Sequence, residues 1–529
     1  MTAPAITPAR AGSPASHGRF ADVLRSEWTK FRTVRGWVIG MLASALVITG
    51  MVLLVRVNCS VGNAACPAPT RGPDGEAVTD SFYFAHRPLT GNGSITVRLT
   101  SLTGLLPTPS SNGRVRAGQG PQTGMHPGLE PWSKAGIIIK ASTRPGSEYA
   151  AMMVTGSHGV RMQDDYTRDT AGLSGAVSPA SPRWLRLSRS GDVLTGYDSA
   201  DGTHWMRAGT VTVPGLPPTV QAGMFAASPM YTLVTGQSLG GSKGTAGPTL
   251  ATGHFDHLTV ADSVPAGAWS GGQVGGTKGL YPTASGGYRQ AGGEFTVTGS
   301  GDIAPDSNGG GGGVSIRLTL VGTFAGLIAV IVLGTMFITA EYRRGMIRTT
   351  LAASPGRGRV LAAKAIVIGS ITFVAGLVAV AVAVPLGERM FRSGGTYTDP
   401  VSVLTAARII AGTAALLAVA AVLALALGAM LRRSALAVTA VFAGIVLPYM
   451  LSTIPGILPA ATAEWLLRLT PAAGFAIQQP YPAYPQVTAN YVPSDGYFPL
   501  APWAGFAVLC AWAALALAVA AFLLRRRDA

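Results

Sequence analysis

Long uninterrupted apolar runs alternate in this chain with one broad region of short, turn-broken runs. Six of the long runs, at residues 37–55, 318–340, 365–386, 409–431, 435–458 and 501–524, hold no charged residue in their interiors. Crossing a bilayer takes about 20 apolar residues, so each run predicts a transmembrane helix. Pro448 and Pro455 should kink the fifth, which a membrane helix tolerates. The first run starts too late and is too long for a cleaved signal peptide. Between the first two runs the pattern changes. Short alternating or apolar stretches at 94–99, 135–139, 149–154, 160–163, 184–188, 193–198, 205–213 and 255–260 are separated by Gly, Asp and Ser. Ser190-Gly191-Asp192 and Asp201-Gly202 have hairpin-turn chemistry. Short strands at that spacing predict an antiparallel sandwich. The expected fold class is an α-helical polytopic membrane protein of six transmembrane helices with an inserted all-β antiparallel sandwich of jelly-roll type.

Composition agrees with that pattern. Of 529 residues, 48% are hydrophobic and 12% charged, against about 25% charged in ordinary soluble domains. A compact water-soluble enzyme and a disordered chain are both excluded. The net charge of +16 would suggest nucleic acid, but residues 57–315 hold 17 basic and 16 acidic residues. Nearly all the excess therefore lies at the membrane edges, where it faces lipid. The N-terminal stretch, the 341–364 loop, Arg432-Arg433 and Arg525-Arg526-Arg527 carry most of it. By the positive-inside rule these are cytoplasmic, as are both termini, and residues 57–316 are extracytoplasmic. Arg outnumbers Lys 34 to 6, and with the Ala/Gly bias this points to a GC-rich bacterium and its plasma membrane.

The expected organisation follows from these boundaries. Residues 1–36 form a cytoplasmic segment with an amphipathic helix and 37–56 the first span. An outer linker occupies 57–79, the sandwich 80–262 and a Gly-rich return segment 263–316. Residues 317–529 hold the other five spans, with a coupling loop at 341–364 and an outer re-entrant segment at 460–500. Within the return segment, 294–299 read as one more strand and Gly309–Gly313 as a flexible linker. Cys59 and Cys66 lie just outside the first span, in an oxidising compartment where a small disulfide loop between them is one reading.

Catalytic and phosphate-binding patterns find little support. No Gly-x4-Gly-Lys-Ser/Thr loop occurs, so no ATPase is expected in this chain. Stretches at 80–99, 132–140 with 149–154, 184–205 and 255–260 resemble the concanavalin A-like lectin/glucanase (laminin-G-like) sandwich. Retaining glucanases of that fold need two carboxylates about 5 Å apart, and no Glu-x-Asp-x-Glu triplet is present; Asp164-Asp165 should point to opposite faces of a strand. Sugar contact would use aromatics, with Trp132, Tyr149 and Tyr166 as candidates, while Trp184 and Trp205 fit core positions equally well. His254 and His257 flank a strand without any further mark of metal ligation, and no metal site is expected.

Phe20, Val23, Leu24, Trp28 and Phe31 recur at helical spacing before the first span, with Arg25, Glu27, Lys30 and Arg32 on other faces. Such a helix serves equally as a membrane anchor or a partner surface. After the second span, Glu341-Tyr342-Arg343-Arg344-Gly345 leads into a short helical stretch at 346–353 and a Ser354-Pro355-Gly356 break. With residues 24–33 and Leu469-Thr470-Pro471-Ala472-Ala473-Gly474-Phe475, this loop resembles the membrane subunit of ABC-2 type ABC exporters. The resemblance covers 20–56 and 317–529; the large outer insertion departs from it. It implies a separate ATPase subunit carrying ATP-Mg, no cofactor on this chain, and a second permease copy or sister subunit. It also implies docking of the ATPase through Glu27, Lys30, Glu341, Arg343, Arg344 and Arg348. The expected function is the permease of an exporter for an apolar or amphipathic cargo. The alternative is a membrane-anchored, non-transporting module that binds carbohydrate or cell wall.

Overall fold

A computed structural model describes residues 20–55, 60–61, 64–65, 68–108, 124–238, 241–262, 268–276, 286–306, 313–343, 345, 356–454, 457–487, 493 and 496–526. Among these, six helices are long and apolar enough to cross a membrane. An amphipathic helix α1 (Phe20–Thr33) precedes the first of them, α2 (Arg35–Val52). The others are α3 (Val321–Arg343), entered through a 3-10 turn at Ile316–Leu320, α4 (Arg357–Ser393), α5 (Val403–Leu431) and α6 (Ser434–Thr453). A short helix α7 (Ala460–Leu469) and a 3-10 segment Pro471–Gln478 then lead to the last span, α8 (Pro502–Arg526).

Packing follows from small residues at the crossings. Gly322 and Gly326 of α3 leave no room for a side chain against Ile48 of α2, and Gly334 sits against the Ala421 backbone of α5. Close backbone approach of this kind is the main source of helix adhesion where no hydrophobic effect acts. The α5 helix is the most enclosed of the six. By contrast Leu46 of α2, Val378 of α4 and Phe522 of α8 are exposed, as a lipid-facing surface requires. Pro448 is accommodated by a π-helical turn at Phe442–Val446, whose widened winding takes up the ring's clash with the carbonyl four residues earlier. The helix ends at Thr453, ahead of Pro455.

The inserted domain is a two-sheet antiparallel sandwich. One sheet runs in the order Arg168–Ala171, Val160–Asp164, Tyr149–Thr155, Lys134–Lys140, Thr219–Ala227, Phe82–Thr90, Ser270–Val274. The other runs Met206–Thr212, Val193–Ser199, Arg183–Ser190, Gly93–Pro107, Leu250–Asp262, Glu294–Gly299, Gly287–Ala291, with Met125–Pro127 paired to the end of Gly93–Pro107. Alternate residues such as Ile95, Val97, Leu99, Leu185 and Leu187 fill the space between them.

The stretch 263–316, expected as a return segment, supplies four strands to the sandwich and a fifth, Gly313–Val314, after it. Ser270–Val274 closes one sheet, Gly287–Ala291 and Glu294–Gly299 extend the other, and Ile303–Pro305 pairs with Val78–Asp80. The sandwich therefore spans about residues 78–306 rather than 80–262. Glu294–Gly299 is the strand the sequence predicts here, while the glycines of Ser270–Val274 and Gly287–Ala291 hide those two from an alternation test. The glycine run itself, Cys59 and Cys66 lie largely or wholly outside the described residues.

The sandwich is bonded to one end of the helical bundle. Gly313–Val314 pairs in parallel with Tyr397–Thr398 between α4 and α5, and the Asp399 amide donates to the Val314 carbonyl at 2.9 Å. Gln486 Nε2 donates to the Thr167 carbonyl of the sandwich at 3.0 Å. Asp306 and Asp399 are both buried at this junction, and Asp399 Oδ1 has no hydrogen-bond partner. Burial, with Asp306 beside it, pushes the Asp399 carboxyl up to about 7. A carboxyl raised in the folded state contributes stability that is complete below its unfolded value and lost as pH rises through about 7. The detergent-solubilised protein should thus melt higher at about pH 6 than at about pH 8. Asp399→Asn should shrink that difference; an equal difference in the variant would refute the assignment.

Candidate functional site

At the opposite end of the bundle, four charged side chains meet among apolar ones. Lys364 Nζ lies 2.6 Å from Glu27 Oε2 and 2.7 Å from Glu341 Oε1. Lys30 Nζ lies 2.7 Å from Glu27 Oε1 and 3.3 Å from Glu341 Oε1. Glu27, Glu341 and Lys364 are buried, and Lys30 is half-exposed. The Lys364 ammonium also sits 4.8 Å from the Phe337 ring centroid, a cation–π contact.

The four come from three helices, Glu27 and Lys30 from α1, Glu341 from α3 and Lys364 from α4. Lys364 is eight residues into α4, whose 37 residues measure about 55 Å against a hydrocarbon core of about 30 Å. That excess lets its first two turns project from the bilayer and carry a lysine there. Glu341 closes α3, two residues before the end of the described helix. Glu27 lies on the face of α1 that also carries Leu24 and Phe31, the latter edge-on to Phe337 at 5.9 Å. The burial of Glu27 departs from the expected amphipathic pattern: Phe20 and Trp28 are exposed instead. Ion pairing outweighed the apolar spacing in choosing the buried face.

Two lysines and two glutamates neutralise one another, which buried charges require. Burial pulls the Lys30 ammonium down, but its bond to Glu27 and the fields of Glu341 and Glu27 outweigh this and leave it raised. The result is a clamp that holds α1, the end of α3 and the start of α4 together. Around it, Arg432 caps α5 in a left-handed conformation and lies over the Tyr342 ring, and Arg357 donates to the Leu524 carbonyl of α8.

These positions change the expected docking set. Glu27 and Glu341 turn their carboxylates into the chain, so neither offers a charge to a partner. Lys30 remains half-exposed beside a shallow groove of about 440 Å³ lined by Asp22, Arg25, Ser26 and Thr29. Arg343 is exposed; Arg344 and Arg348 lie outside the described residues. Sequence reasoning counted Lys364 only as topogenic charge. The signal for more was available: a lysine set among Ala and Val at the start of an apolar run, with glutamates rare elsewhere at that end.

The sandwich aromatics are also placed differently from the expectation. Tyr149 and Tyr166 are fully buried, and Trp132 is 6% exposed. The two tyrosines belong with the far face of the Lys134–Lys140 sheet, which carries a second core of Phe82, Phe84, Ile138, Phe225 and Ile303. Within it, Lys140 Nζ reaches Asp80 Oδ2 at 2.8 Å and the Tyr166 hydroxyl at 2.9 Å, and that hydroxyl donates to Asp80 Oδ2 at 2.7 Å. Trp132 is stacked on His158 at 3.9 Å. None of the three can lie against a sugar. The sheet face that would take one is covered by the 70–81 and 300–306 segments. Trp184 and Trp205, for which core and sugar contact were both open, are half-buried on the outer face of the other sheet, under Arg98 and Arg186 respectively. Asp164 and Asp165 are buried, Asp164 paired with Arg168 at 3.0 Å, and burial pushes both carboxyls up.

A family model described as "ABC-2 family transporter protein" matches residues 164–529. A search of curated proteins found no match. Among solved structures, a functionally unknown protein from Saccharomyces cerevisiae is similar at TM-score 0.22 and 14% identity, over 38% of this chain and 86% of that one. The eqolisin-family peptidase SCP-B in complex with the tripeptide Ala-Ile-His is similar at TM-score 0.23 and 8% identity, over 41% and 98%. The GH43 protein BlXynB from Bacillus licheniformis is similar at TM-score 0.17 and 15% identity, over 26% and 24%. At those scores the structural likenesses carry no argument.

The clamp makes a direct prediction. Lys364→Met leaves two buried carboxylates with only Lys30 to neutralise them, and should cost about 3 kcal/mol, read as a lower melting temperature in detergent. Adding Glu27→Gln and Glu341→Gln should recover much of the loss. An unchanged midpoint in the single variant would show that these charges are not a structural unit.

Proposed function

Because the chain belongs to the ABC-2 family of transporter proteins, we propose that it is the permease of an ATP-driven exporter whose ATPase is a separate subunit. The observation that carries this reading is the clamp's place in the chain. The expected coupling loop, residues 341–364, begins at Glu341 and ends at Lys364, and both of these residues are bonded in the clamp. A push on that loop by the closing ATPase pair would be delivered to α3 and α4 together and, through Glu27, to α1.

On this reading the clamp end faces the cytoplasm of a bacterium and the sandwich end faces outward, as the basic excess at 341–364, Arg432-Arg433 and the C-terminus favours. The docking surface is then the exposed side of α1 around Arg25, Thr29 and Lys30, together with Arg343 and the following loop. ATP-Mg is held by the partner, and a second permease copy or sister subunit completes the pathway. The middles of the spans carry no acidic or basic side chain, whereas proton-coupled transporters mark their pathways with such groups. That supports an external energy source and an apolar or amphipathic cargo. The sandwich, concanavalin A-like in its two-sheet architecture, acts on this reading as a rigid outer cap.

The test is a mild-detergent purification of the tagged full-length chain from its native membrane, with mass spectrometry of what accompanies it. A stoichiometric Walker-motif ATPase is expected, and its reproducible absence would overturn the permease reading. Arg25→Glu with Arg343→Glu should reduce the retained ATPase about tenfold, a loss of about 1.4 kcal/mol, with the melting temperature unchanged. Full retention by that double variant would remove α1 and Arg343 from the docking surface.

A further inference from the structure

At the sandwich end of the bundle, a cleft of about 460 Å³ opens between the first turns of α5, residues 479–483 and the entry to α8. Arg408 is the one charged side chain among its lining residues. Its described hydrogen bond goes to the Gln479 backbone carbonyl, a neutral acceptor, so the positive charge is not cancelled by a carboxylate in the cleft. A guanidinium has five donors in a planar fork, and one carbonyl leaves most of that fork free for an oxyanion.

The walls are apolar and bonded into place. Tyr481, Pro482, Phe498 and Leu500 line them. Gln479 ties the two wall segments together, donating from Nε2 to the Tyr481 carbonyl at 2.7 Å and accepting from the Phe498 amide at 3.3 Å. Arg317 lies behind the Phe498 ring at 5.3 Å from its centroid and adds a second positive charge on that side. Asp399 and Asp306 act on Tyr481 from the junction with the sandwich and are not among the residues that line the cleft.

Position decides what the cleft would meet. Arg408 is five residues into α5, about 8 Å along the helix from its start. Val403 and Leu404 there are 84% and 83% exposed, and Trp503 at the start of α8 is 64% exposed. Exposed apolar residues beside a tryptophan mark the hydrocarbon–headgroup boundary. The cation therefore stands at headgroup depth with apolar walls around it. We propose that this cleft binds an amphiphile with an anionic headgroup of phosphate or carboxylate type, the headgroup on Arg408 and the chain along Phe498 and Leu500. This rests on the reading of residues 460–500 as facing the outer leaflet, and it names the chemical class that the outer face receives.

The test uses the full-length chain in detergent–lipid micelles without any ATPase, so its failure is separate from failure of the permease reading. Photoreactive phosphatidylglycerol should label peptides containing 479–483 and 498–502 about fivefold more than photoreactive phosphatidylcholine does, a difference of about 1 kcal/mol. Arg408→Gln should abolish the preference and Arg408→Lys retain part of it. Ala483→Trp, which fills the cleft with Arg408 in place, should abolish labelling by both lipids. Excess inorganic phosphate should not compete; full competition would mean a small-anion site and overturn the amphiphile. Equal labelling by the two lipids, or an unchanged preference in Arg408→Gln, would also overturn it.

Discussion

A charge without a partner is costly at the edge of a hydrocarbon layer, and this chain brings four of them to one point there. Glu27, Lys30, Glu341 and Lys364 are far apart in sequence and come from three helices. Because each buried carboxylate needs a cation, α3 or α4 moving away alone would strand Glu341 or Lys364, while α1, whose Glu27 is also paired with its own Lys30, would give up the bond from Glu27 to Lys364. The constraint sets the position of α1, selects which of its faces is buried, and fixes the two ends between which the 344–356 loop must run. Attraction between apolar helices in lipid is weak and poorly directional. Here the ion cluster supplies the direction.

The other end of the bundle is fixed by different means. Backbone pairing of Gly313–Val314 with Tyr397–Thr398 and the Gln486–Thr167 bond attach the sandwich to the loops between spans. The sandwich in turn fills the face of one sheet with its own chain, so its aromatic residues stabilise a second core rather than present a binding surface. The small-residue contacts of α2 with α3 and of α3 with α5 connect the two ends through the bilayer. A displacement applied at the clamp therefore has a packed route to the outer face where α5 and α8 meet.

Much of this was legible in the sequence because the strongest signals are compositional. All six spans were readable from uninterrupted apolar length, with boundaries shifted by a few residues where polar ends continue the helix, as α4 does from Arg357 to Ser393. The sandwich was legible from alternation between 94 and 260, but its glycine-rich closing strands were not, since Gly271, Gly272 and Gly287 contribute no side-chain pattern. The candidate site was legible only in part. Glu27, Lys30 and Glu341 stood out as charges in the right places, yet sequence spacing cannot say whether a charge faces out to a partner or in to an opposite charge. That depends on long-range pairing with Lys364, more than 300 residues from Glu27. Tyr149 and Tyr166 were misread for a similar reason: a second core on the far face of a sheet depends on segments distant in sequence.

The central claim is that the clamp makes α1, the end of α3 and the start of α4 one rigid body, which on the proposed permease reading moves as a unit when a partner ATPase closes. Pulsed electron paramagnetic resonance tests it most directly, with spin labels at the exposed positions Thr33 and Arg359 in the complex with its ATPase, compared with and without a non-hydrolysable nucleotide. The account predicts an unchanged distance between those two labels, while the distance from either one to a label at Arg526 of α8 shifts. A nucleotide-dependent change between Thr33 and Arg359 would contradict it.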